Sequence, residues 1–223
     1  MFDAIAPRYD LLNRVLSAGM DRRWRDRAVD ELHLARGARV LDLCTGTADL
    51  AIATVTRVPG SSVVGVDFAR EMLRLANRKL SERRLASSVR LIRGDATRLP
   101  VASGSCDAAT IGFGIRNVAE PERALAELAR VLTPGGRLAI LEFGFPRIPG
   151  IRTLYKLYFQ QVLPRIGGAV SRHGNAYSYL PQSVGAFPSP EAFSGMMSRA
   201  GFGRVRAVPL TLGIVYLFVG IRD

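Results

Sequence analysis

Three short hydrophobic segments, each followed by a small or acidic motif, constrain the fold of this chain more than any other feature. The first covers residues 40–43 and leads into the small-residue turn 44–49. The second, residues 63–67, ends on Asp67, and the third motif is Gly94-Asp95-Ala96. Parallel α/β sheets bind nucleotide-like ligands where their strands end, and they use turns of this kind to do so. The pattern therefore predicts an α/β fold that binds a nucleoside-containing cofactor at one sheet edge.

The segments continue as an alternation of strands and helices. Hydrophobic patterning predicts strands near 39–43, 63–67, 89–93, 107–113 and 137–143, and helices near 48–57, 69–84 and 120–132. Glu120-Pro121-Glu122 is a helix start signal, and Thr133-Pro134-Gly135-Gly136 is a stop signal. Ser189-Pro190-Glu191 predicts a further helix, and the apolar residues 207–221 predict two closing strands. This alternation builds a parallel sheet with helices on both faces.

The 223 residues contain no Gly/Ser/Pro-rich linker, so we predict one domain over 1–223. Residues 1–34 carry apolar positions at helical spacing and are predicted to form a helical lid. Residues 35–143 form the cofactor-binding core. The aromatic and basic residues 144–188 interrupt the alternation and are predicted to be an acceptor-site insertion, and 189–223 supply the closing helix and strands.

Charge and cysteine content limit the partners. The net charge of +12 would suit nucleic acid or an anionic membrane, but the arginines form no stripe interleaved with aromatic residues, so we predict no nucleic-acid partner. Cys44 and Cys106 are too few for a zinc or disulfide framework, and the histidines have no metal-ligand spacing. We expect a cytoplasmic protein without a metal, whose contact with the inner face of the membrane would be peripheral.

The turn after the first predicted strand indicates which nucleoside-containing cofactor the chain would bind. Gly46 lacks the full G-x-G-x-x-G motif, since Cys44 and Ala48 stand where a dinucleotide fold more often has glycine. This favours a cofactor without phosphates, and S-adenosylmethionine fits. The turn would pass close to its methionine portion, Asp67 would accept both ribose hydroxyls, and Asp95 with Ala96 would meet the adenine edge.

Two further polar residues near this turn have competing interpretations. Asp42 lies inside a hydrophobic strand, where an unpaired carboxylate is costly, so we predict a role near the ammonium group of the cofactor. Thr47 either contacts the cofactor or, like Asp49, caps the following helix, and both alternatives stay open.

The residues at the end of the predicted fourth strand indicate which protein family the chain resembles. Phe113-Gly114-Ile115-Arg116-Asn117 resembles the corresponding motif of the UbiE/MenG family of quinone-biosynthesis C-methyltransferases, which methylate demethylmenaquinol and, in many members, a polyprenyl methoxybenzoquinol. The resemblance covers nearly the whole chain. It includes residues 2–13, 16–19, 24–25, 40–49, 67, 71–73, 94–96, 99–100, 113–117, 141–143, 162–167, 177–183, 187–188 and 212–214.

The resemblance implies a class I S-adenosylmethionine-dependent methyltransferase. This fold is Rossmann-like, with a mostly parallel seven-stranded sheet, helices on both faces and an antiparallel last strand. It also implies cofactor contacts at Thr47, Asp67, Asp95 and Ala96. Two residues depart from the family pattern: Ala48 replaces a common glycine, and Gly112 stands where many members have a serine, so only its backbone can contact the cofactor.

The implied reaction needs an electron-rich ring carbon, which a hydroquinone acquires when a hydroxyl loses its proton. Arg116 is our candidate for stabilising the resulting phenolate, Asn117 for orienting the ring oxygen, and Tyr9 for closing the site from the lid. The alternative for Arg116 is a structural ion pair with Glu142 or with an acid of the lid. For Tyr9 it is ordinary helix packing.

Aromatic residues of the insertion are candidates for binding the acceptor. We expect Tyr155 and Phe159 to contact its isoprenoid tail or a lipid surface, and Tyr177 and Tyr179 to line its entrance. Core packing or a homodimer contact is an equal alternative for the 151–166 segment. Other functions also stay open: a small-molecule methyltransferase of another pathway, or a noncatalytic scaffold of a quinone-making complex.

Overall fold

The computed structural model describes residues 17, 19–146, 148, 150, 153 and 182–223. Seven strands form one sheet in the order β3-β2-β1-β4-β5-β7-β6. Their bounds are β1 Arg39–Leu43, β2 Ser62–Asp67, β3 Val89–Arg93, β4 Cys106–Gly112, β5 Leu132–Phe143, β6 Phe202–Leu210 and β7 Val215–Arg222. Strands β1 to β5 pair in parallel, whereas β7 is antiparallel to both of its neighbours, β5 and β6. The predicted sheet architecture is confirmed.

Helices cover both faces of this sheet. They are α1 Asp21–Glu31, α2 Asp49–Arg57, α3 Arg70–Glu82, α4 Pro121–Val131 and α5 Pro190–Arg199. The first three pack in one buried apolar cluster, and α4 and α5 pack in a second cluster on the other face. Within the described ranges, no helix is long and apolar enough to cross a membrane.

Local sequence signals explain where α4 and α5 begin. Each has a proline in its first turn, where a missing N–H costs no hydrogen bond. Ser189 caps α5, since its hydroxyl accepts a hydrogen bond from the N–H of Ala192. In α4, Ala124, Leu125 and Leu128 recur at three- and four-residue spacing and are fully buried.

The predicted helix stop signal at 133–136 lies within strand β5. Strand β5 begins at Leu132, directly after α4, and Leu132 pairs with Cys106. The next pair is Ala108 with Arg137, so the register between β4 and β5 shifts across residues 133–136. Gly135 adopts a φ of 76°, a conformation that favours glycine. The stop signal therefore ends the helix as predicted, but the strand starts before it.

The sheet register brings the predicted motifs to one edge. Asp42 on β1 lies opposite Gly65 on β2 and Thr110 on β4. Because β1 to β4 are parallel, the segments that follow them meet at their common carboxyl edge. These segments are the turn 44–48, residues 67–69, residues 94–97 and the turn 112–117.

Candidate functional site

A cavity of about 380 Å³, hereafter the first cavity, lies at the carboxyl edge of β1 to β4. Its walls come from the four segments that the register brings together, with the start of α3 and residues 118–120. Six of the predicted site residues line it: Gly46, Asp67, Asp95, Ala96, Gly112 and Asn117. The strand-end motifs therefore converge on a single concave surface.

Asp67 has a carboxylate whose orientation the backbone holds. Its Oδ2 accepts a hydrogen bond from the N–H of Gly46 at 2.8 Å, and its Oδ1 accepts one from the N–H of Ala69 at 2.8 Å. Each carboxylate oxygen can accept more than one hydrogen bond, so a carboxylate held in this way suits a pair of neighbouring hydroxyls. This arrangement fits a ribose, and it ties the carboxylate to the turn that would contact the rest of the cofactor.

Asp95 projects from the segment after β3. Its Oδ1 accepts hydrogen bonds from the N–H and the hydroxyl of Thr97, at 2.8 and 2.9 Å. These hydrogen bonds hold the pKa of Asp95 below its usual range, the one from the backbone N–H having the larger effect. The side chain is therefore an ionised acceptor at neutral pH, as contact with an exocyclic amine requires.

The turn after β1 packs closely against the turn after β4, with the side chain of Cys44 against the backbone of Gly114. Cys44, Gly46 and Ala48 all have positive φ angles, between 54° and 66°. A Cβ built on Gly114 would collide with the Cβ of Cys44. A Cβ added to Gly46 would meet no atom of the described residues within 4 Å. The first cavity thus has a wall of exposed backbone that a ligand can approach closely.

Asp42 lies behind this wall and does not line the first cavity. It is 1% exposed, and its two oxygens accept hydrogen bonds from the hydroxyls of Thr45 at 2.5 Å and Thr110 at 2.7 Å. Burial raises the pKa of Asp42 to about 6, although the two threonine hydroxyls oppose the rise. The described contacts make Asp42 a support of the turn, and its predicted role near an ammonium group stays a prediction.

Thr47 also lies behind the wall, at the start of α2. It is 3% exposed and accepts a hydrogen bond at 3.0 Å from the ammonium of Lys79 on α3. The same ammonium donates to Asp49 at 2.8 Å, and Asp49 lies 3.4 Å from the guanidinium of Arg25 on α1. Lys79 therefore connects the turn to two helices, and the predicted cofactor contact of Thr47 stays a prediction.

Arg116 follows β4 but does not line the first cavity. Its Nη1 lies 2.7 Å from Oε1 of Glu142 and donates to the carbonyl of Phe113. Glu142 is fully buried, and this burial raises its pKa despite the opposing charge of Arg116. The guanidinium also lies over the ring of Phe143, 5.4 Å from its centroid. The ion pair with Glu142, one of the two alternatives for Arg116, is present, and the role in catalysis stays a prediction.

The structure adds Phe68 to the candidate site, a residue that the sequence analysis does not single out. Its side chain is 72% exposed at the rim of the first cavity, directly after Asp67. The guanidinium of Arg93 lies 5.6 Å from the ring centroid. Met72 on α3 lines the same region. An aromatic residue immediately after the acid of the second strand is the sequence signal that could have identified this apolar surface.

Five predicted residues lie outside the described part of the chain. They are Tyr9, Tyr155, Phe159, Tyr177 and Tyr179. Their assignments to the lid and the acceptor site stay predictions.

Known proteins resemble this chain over its whole length. The model of the ubiE/COQ5 methyltransferase family matches residues 1–222. A demethylmenaquinone methyltransferase of Thermus thermophilus is 53% identical over 222 residues, which cover 100% of this chain and 100% of the relative. A ubiquinone/menaquinone biosynthesis C-methyltransferase UbiE of Syntrophotalea carbinolica is 52% identical over 100% of this chain and 93% of its own length. A demethylmenaquinone methyltransferase of Deinococcus radiodurans is 51% identical over 99% of this chain and 90% of its own length.

Solved structures share the fold at low sequence identity. A SAM-dependent methyltransferase from Aquifex aeolicus superposes with a TM-score of 0.63 at 22% identity, covering 88% of this chain and 87% of its own. A SAM-dependent methyltransferase from Thermotoga maritima has a TM-score of 0.65 at 19% identity, covering 100% and 98%. These similarities confirm the predicted methyltransferase fold.

Proposed function

The chain belongs to the ubiE/COQ5 methyltransferase family, and from this membership we propose that demethylmenaquinol is its principal acceptor. It is an S-adenosylmethionine-dependent C-methyltransferase of menaquinone or ubiquinone biosynthesis. The observation that carries the choice of acceptor is the end-to-end identity of 53% with a demethylmenaquinone methyltransferase, and a second relative of that name is 51% identical. A methoxybenzoquinol is the second acceptor to test.

The first cavity supports the proposed cofactor contacts. Asp67 has two oriented oxygens for the ribose hydroxyls, and Asp95 offers an ionised acceptor for the adenine amine. Phe68 presents an exposed ring at the rim, which suits the flat apolar face of a purine. Gly46 and Gly112 expose backbone rather than side chain, so the cofactor can approach both turns closely. S-adenosylmethionine bound there supplies an electrophilic methyl group on a sulfonium.

The residues of the chain must make the acceptor carbon nucleophilic. A free aromatic hydroxyl has a pKa of about 10, by analogy with tyrosine, so little of the reactive anion exists at neutral pH. A guanidinium beside the oxygen stabilises that anion and lowers the pKa. We assign this role to Arg116. Asn117, which lines the first cavity, would orient the same oxygen, so that the ring carbon and the methyl group meet at about 3–3.5 Å.

The reaction is tested directly. The purified protein is incubated with S-adenosylmethionine and either reduced demethylmenaquinol or reduced methoxybenzoquinol, and the added methyl is detected by mass spectrometry. We expect methylation of the naphthoquinol. Methylation of the benzoquinol alone would refute the choice of acceptor, and methylation of neither, with the cofactor bound, would refute the proposed pathway.

The cofactor site has its own test. Asp67→Ala should abolish S-adenosylmethionine binding measured by calorimetry, because both oriented oxygens are lost. Asp107→Ala is a matched control, since Asp107 lies at the opposite end of β4 and pairs with Arg39 there. Unchanged affinity in Asp67→Ala would place the ribose elsewhere.

We also propose contact with the membrane surface, because a prenylated acceptor is lipid-soluble and a net charge of +12 is attracted to anionic headgroups. Vesicle flotation tests this proposal. We expect the protein to float with vesicles that contain anionic lipid and to dissociate at high salt. No flotation with anionic vesicles at low salt would refute it.

A further inference from the structure

Phe113, directly after β4, has a backbone conformation that is costly for a residue with a large side chain. Its φ angle is 59°, in the left-handed region, where a bulky residue is rarely found. Two hydrogen bonds hold it there: its N–H donates to the carbonyl of Leu141 on β5 at 2.8 Å, and its carbonyl accepts from Nη1 of Arg116. A glycine would adopt this φ without strain, so the ring is present at an energetic cost. Residues held in such conformations concentrate at binding sites, and the strain therefore points to a function for the ring.

The ring of Phe113 belongs to an aromatic cluster with Trp24 on α1 and Phe143 on β5. Its centroid lies 6.1 Å from that of Trp24 and 4.6 Å from that of Phe143. Trp24 is itself fixed, because its indole N–H donates to the hydroxyl of Thr211 at 2.8 Å. Trp24 is 5% exposed, whereas Phe113 and Phe143 are only partly buried among the described residues. The cluster is therefore a firm support that leaves part of Phe113 accessible.

Phe113 connects this cluster to the wall of the first cavity. Phe68 and Phe113 are the aromatic residues of its described lining. They follow β2 and β4, which lie on opposite sides of β1. Since neighbouring strands are about 4.8 Å apart, the ends of β2 and β4 are separated by about 10 Å. The first cavity thus has an aromatic residue on each of two sides.

The proposed cofactor contacts assign these two aromatic residues to different ligands. Asp67 and Asp95 follow β2 and β3, so they would hold the nucleoside on the side of Phe68. The methionine portion and the sulfonium methyl would then extend past the turn after β1 toward β4. An acceptor that reaches the methyl group therefore approaches it on the side of Phe113.

We propose that Phe113 determines acceptor specificity, because its ring is the apolar surface on which the aromatic ring of the acceptor stacks during methyl transfer. This inference rests on the proposed function and adds a binding residue to the same site. Aromatic rings prefer an offset stack, in which their apolar faces overlap. The two fused rings of a naphthoquinol can cover Phe113 in such a stack more completely than the single ring of a benzoquinol. The surface therefore favours the naphthoquinol.

Phe113→Leu tests the proposal, because leucine keeps an apolar side chain but removes the flat ring. Phe113→Tyr retains the ring and is the conservative variant. The matched control is Phe218→Leu, since Phe218 packs 4.8 Å from Phe193 and 6.2 Å from Tyr216 but does not line the first cavity. The measured quantities are kcat and KM for demethylmenaquinol, the Kd for S-adenosylmethionine and the melting temperature. The methoxybenzoquinol is compared through its KM or, if it is not methylated, through its Ki against demethylmenaquinol.

We expect Phe113→Leu to raise the KM for demethylmenaquinol about five- to tenfold and the constant for the benzoquinol only about twofold, the range for one aromatic pair. The Kd for S-adenosylmethionine should stay near that of the wild type. Phe113→Tyr should restore the wild-type KM. Phe218→Leu should lower the melting temperature without a change in the KM for demethylmenaquinol.

An unchanged KM for demethylmenaquinol in Phe113→Leu would overturn the proposal. An equal rise in Phe218→Leu would do the same, because the effect would then be one of general packing, and an equal loss for both acceptors would refute the role in specificity. If Phe113→Leu does not fold, as judged by its melting temperature and cofactor affinity, Phe113→Met is measured by the same criteria. These outcomes leave the proposed function intact. If the wild type methylates neither acceptor, the proposed function itself fails, and this inference fails with it.

Discussion

Replacing Arg116 by methionine should destabilise the protein in a way that depends on pH. The substitution keeps an unbranched apolar stem but removes the guanidinium, so Glu142 is left fully buried without its cation. An isolated carboxylate in that position would take up a proton instead of staying charged. The unfolding free energy then carries the cost of protonating a carboxyl whose unfolded-state pKa is near 4.3.

The size of this cost follows from the difference between the pH and that unfolded-state pKa. Each pH unit is equivalent to about 1.4 kcal/mol, so the penalty reaches at most about 3.8 kcal/mol at pH 7 and about 1 kcal/mol at pH 5. The folded-state pKa of Glu142 is raised above the unfolded value. For this reason the penalty is absent below about pH 4 and grows as the pH rises.

Urea unfolding at several pH values measures this penalty. Trp24 is the single tryptophan of the chain, is 5% exposed and packs 6.1 Å from the ring of Phe113, so its fluorescence reports on this region. The double variant Arg116→Met/Glu142→Gln has no buried carboxyl at 142 and should regain most of the lost stability at pH 7. A loss in Arg116→Met that is the same at pH 5 and pH 7 would refute the reasoning.

The same variants separate stability from catalysis. If Arg116 stabilises the phenolate of the acceptor, turnover should fall by about 10²- to 10³-fold in Arg116→Met and should stay low in the stabilised double variant. The Kd for S-adenosylmethionine should remain near that of the wild type in both. Recovery of turnover together with stability in the double variant would assign Arg116 a structural role only.

Three further substitutions test the turn after β1. Asp42→Asn should raise the unfolding free energy in urea by up to about 3 kcal/mol at pH 7, because the pKa of Asp42 is raised to about 6 in the folded protein. This gain should disappear below about pH 4, and a gain independent of pH would contradict the assignment. Lys79→Met should weaken S-adenosylmethionine binding about tenfold in calorimetry, because two charge-assisted hydrogen bonds are lost. Arg78→Met removes an exposed neighbouring cation and should leave the affinity unchanged. Equal affinities in the two variants would exclude a role for the Lys79 ammonium. Gly114→Ala should lower both the melting temperature and the cofactor affinity, because its Cβ would collide with Cys44, and a wild-type melting temperature would argue against this close approach.

The sequence predicts most of the fold because hydrophobic periodicity and start signals act locally. The bounds of β1 and β3 agree with the prediction, and α4 begins at the predicted proline. The sequence does not predict the register shift at 133–136, since proline and two glycines indicate the end of a helix whether or not a strand has already begun. Only the pairing of Leu132 with Cys106, a contact between distant residues, decides that.

The candidate site was predictable to the extent that chain topology determines it. Asp67 and Asp95 follow parallel strands, so they had to lie at the same edge of the sheet. The side-chain direction of Asp42 and Arg116 depends on partners from other strands. Thr110, opposite Asp42 on β4, and Glu142, on β5, hold these two side chains outside the first cavity. Spacing along the chain contains no information on such a choice.

The position of Cys44 has a consequence for the chemical durability of a protein that handles quinones. Oxidised quinones are electrophiles that add to thiolates, and Cys44 lines the first cavity. Burial, together with the charges of Asp67 and Asp42, raises the pKa of this thiol far above its ordinary value. Almost none of it is ionised at neutral pH, so we expect Cys44 to resist arylation and oxidation. The protein can then keep a sulfur atom beside its cofactor without being inactivated by the oxidised form of its own product.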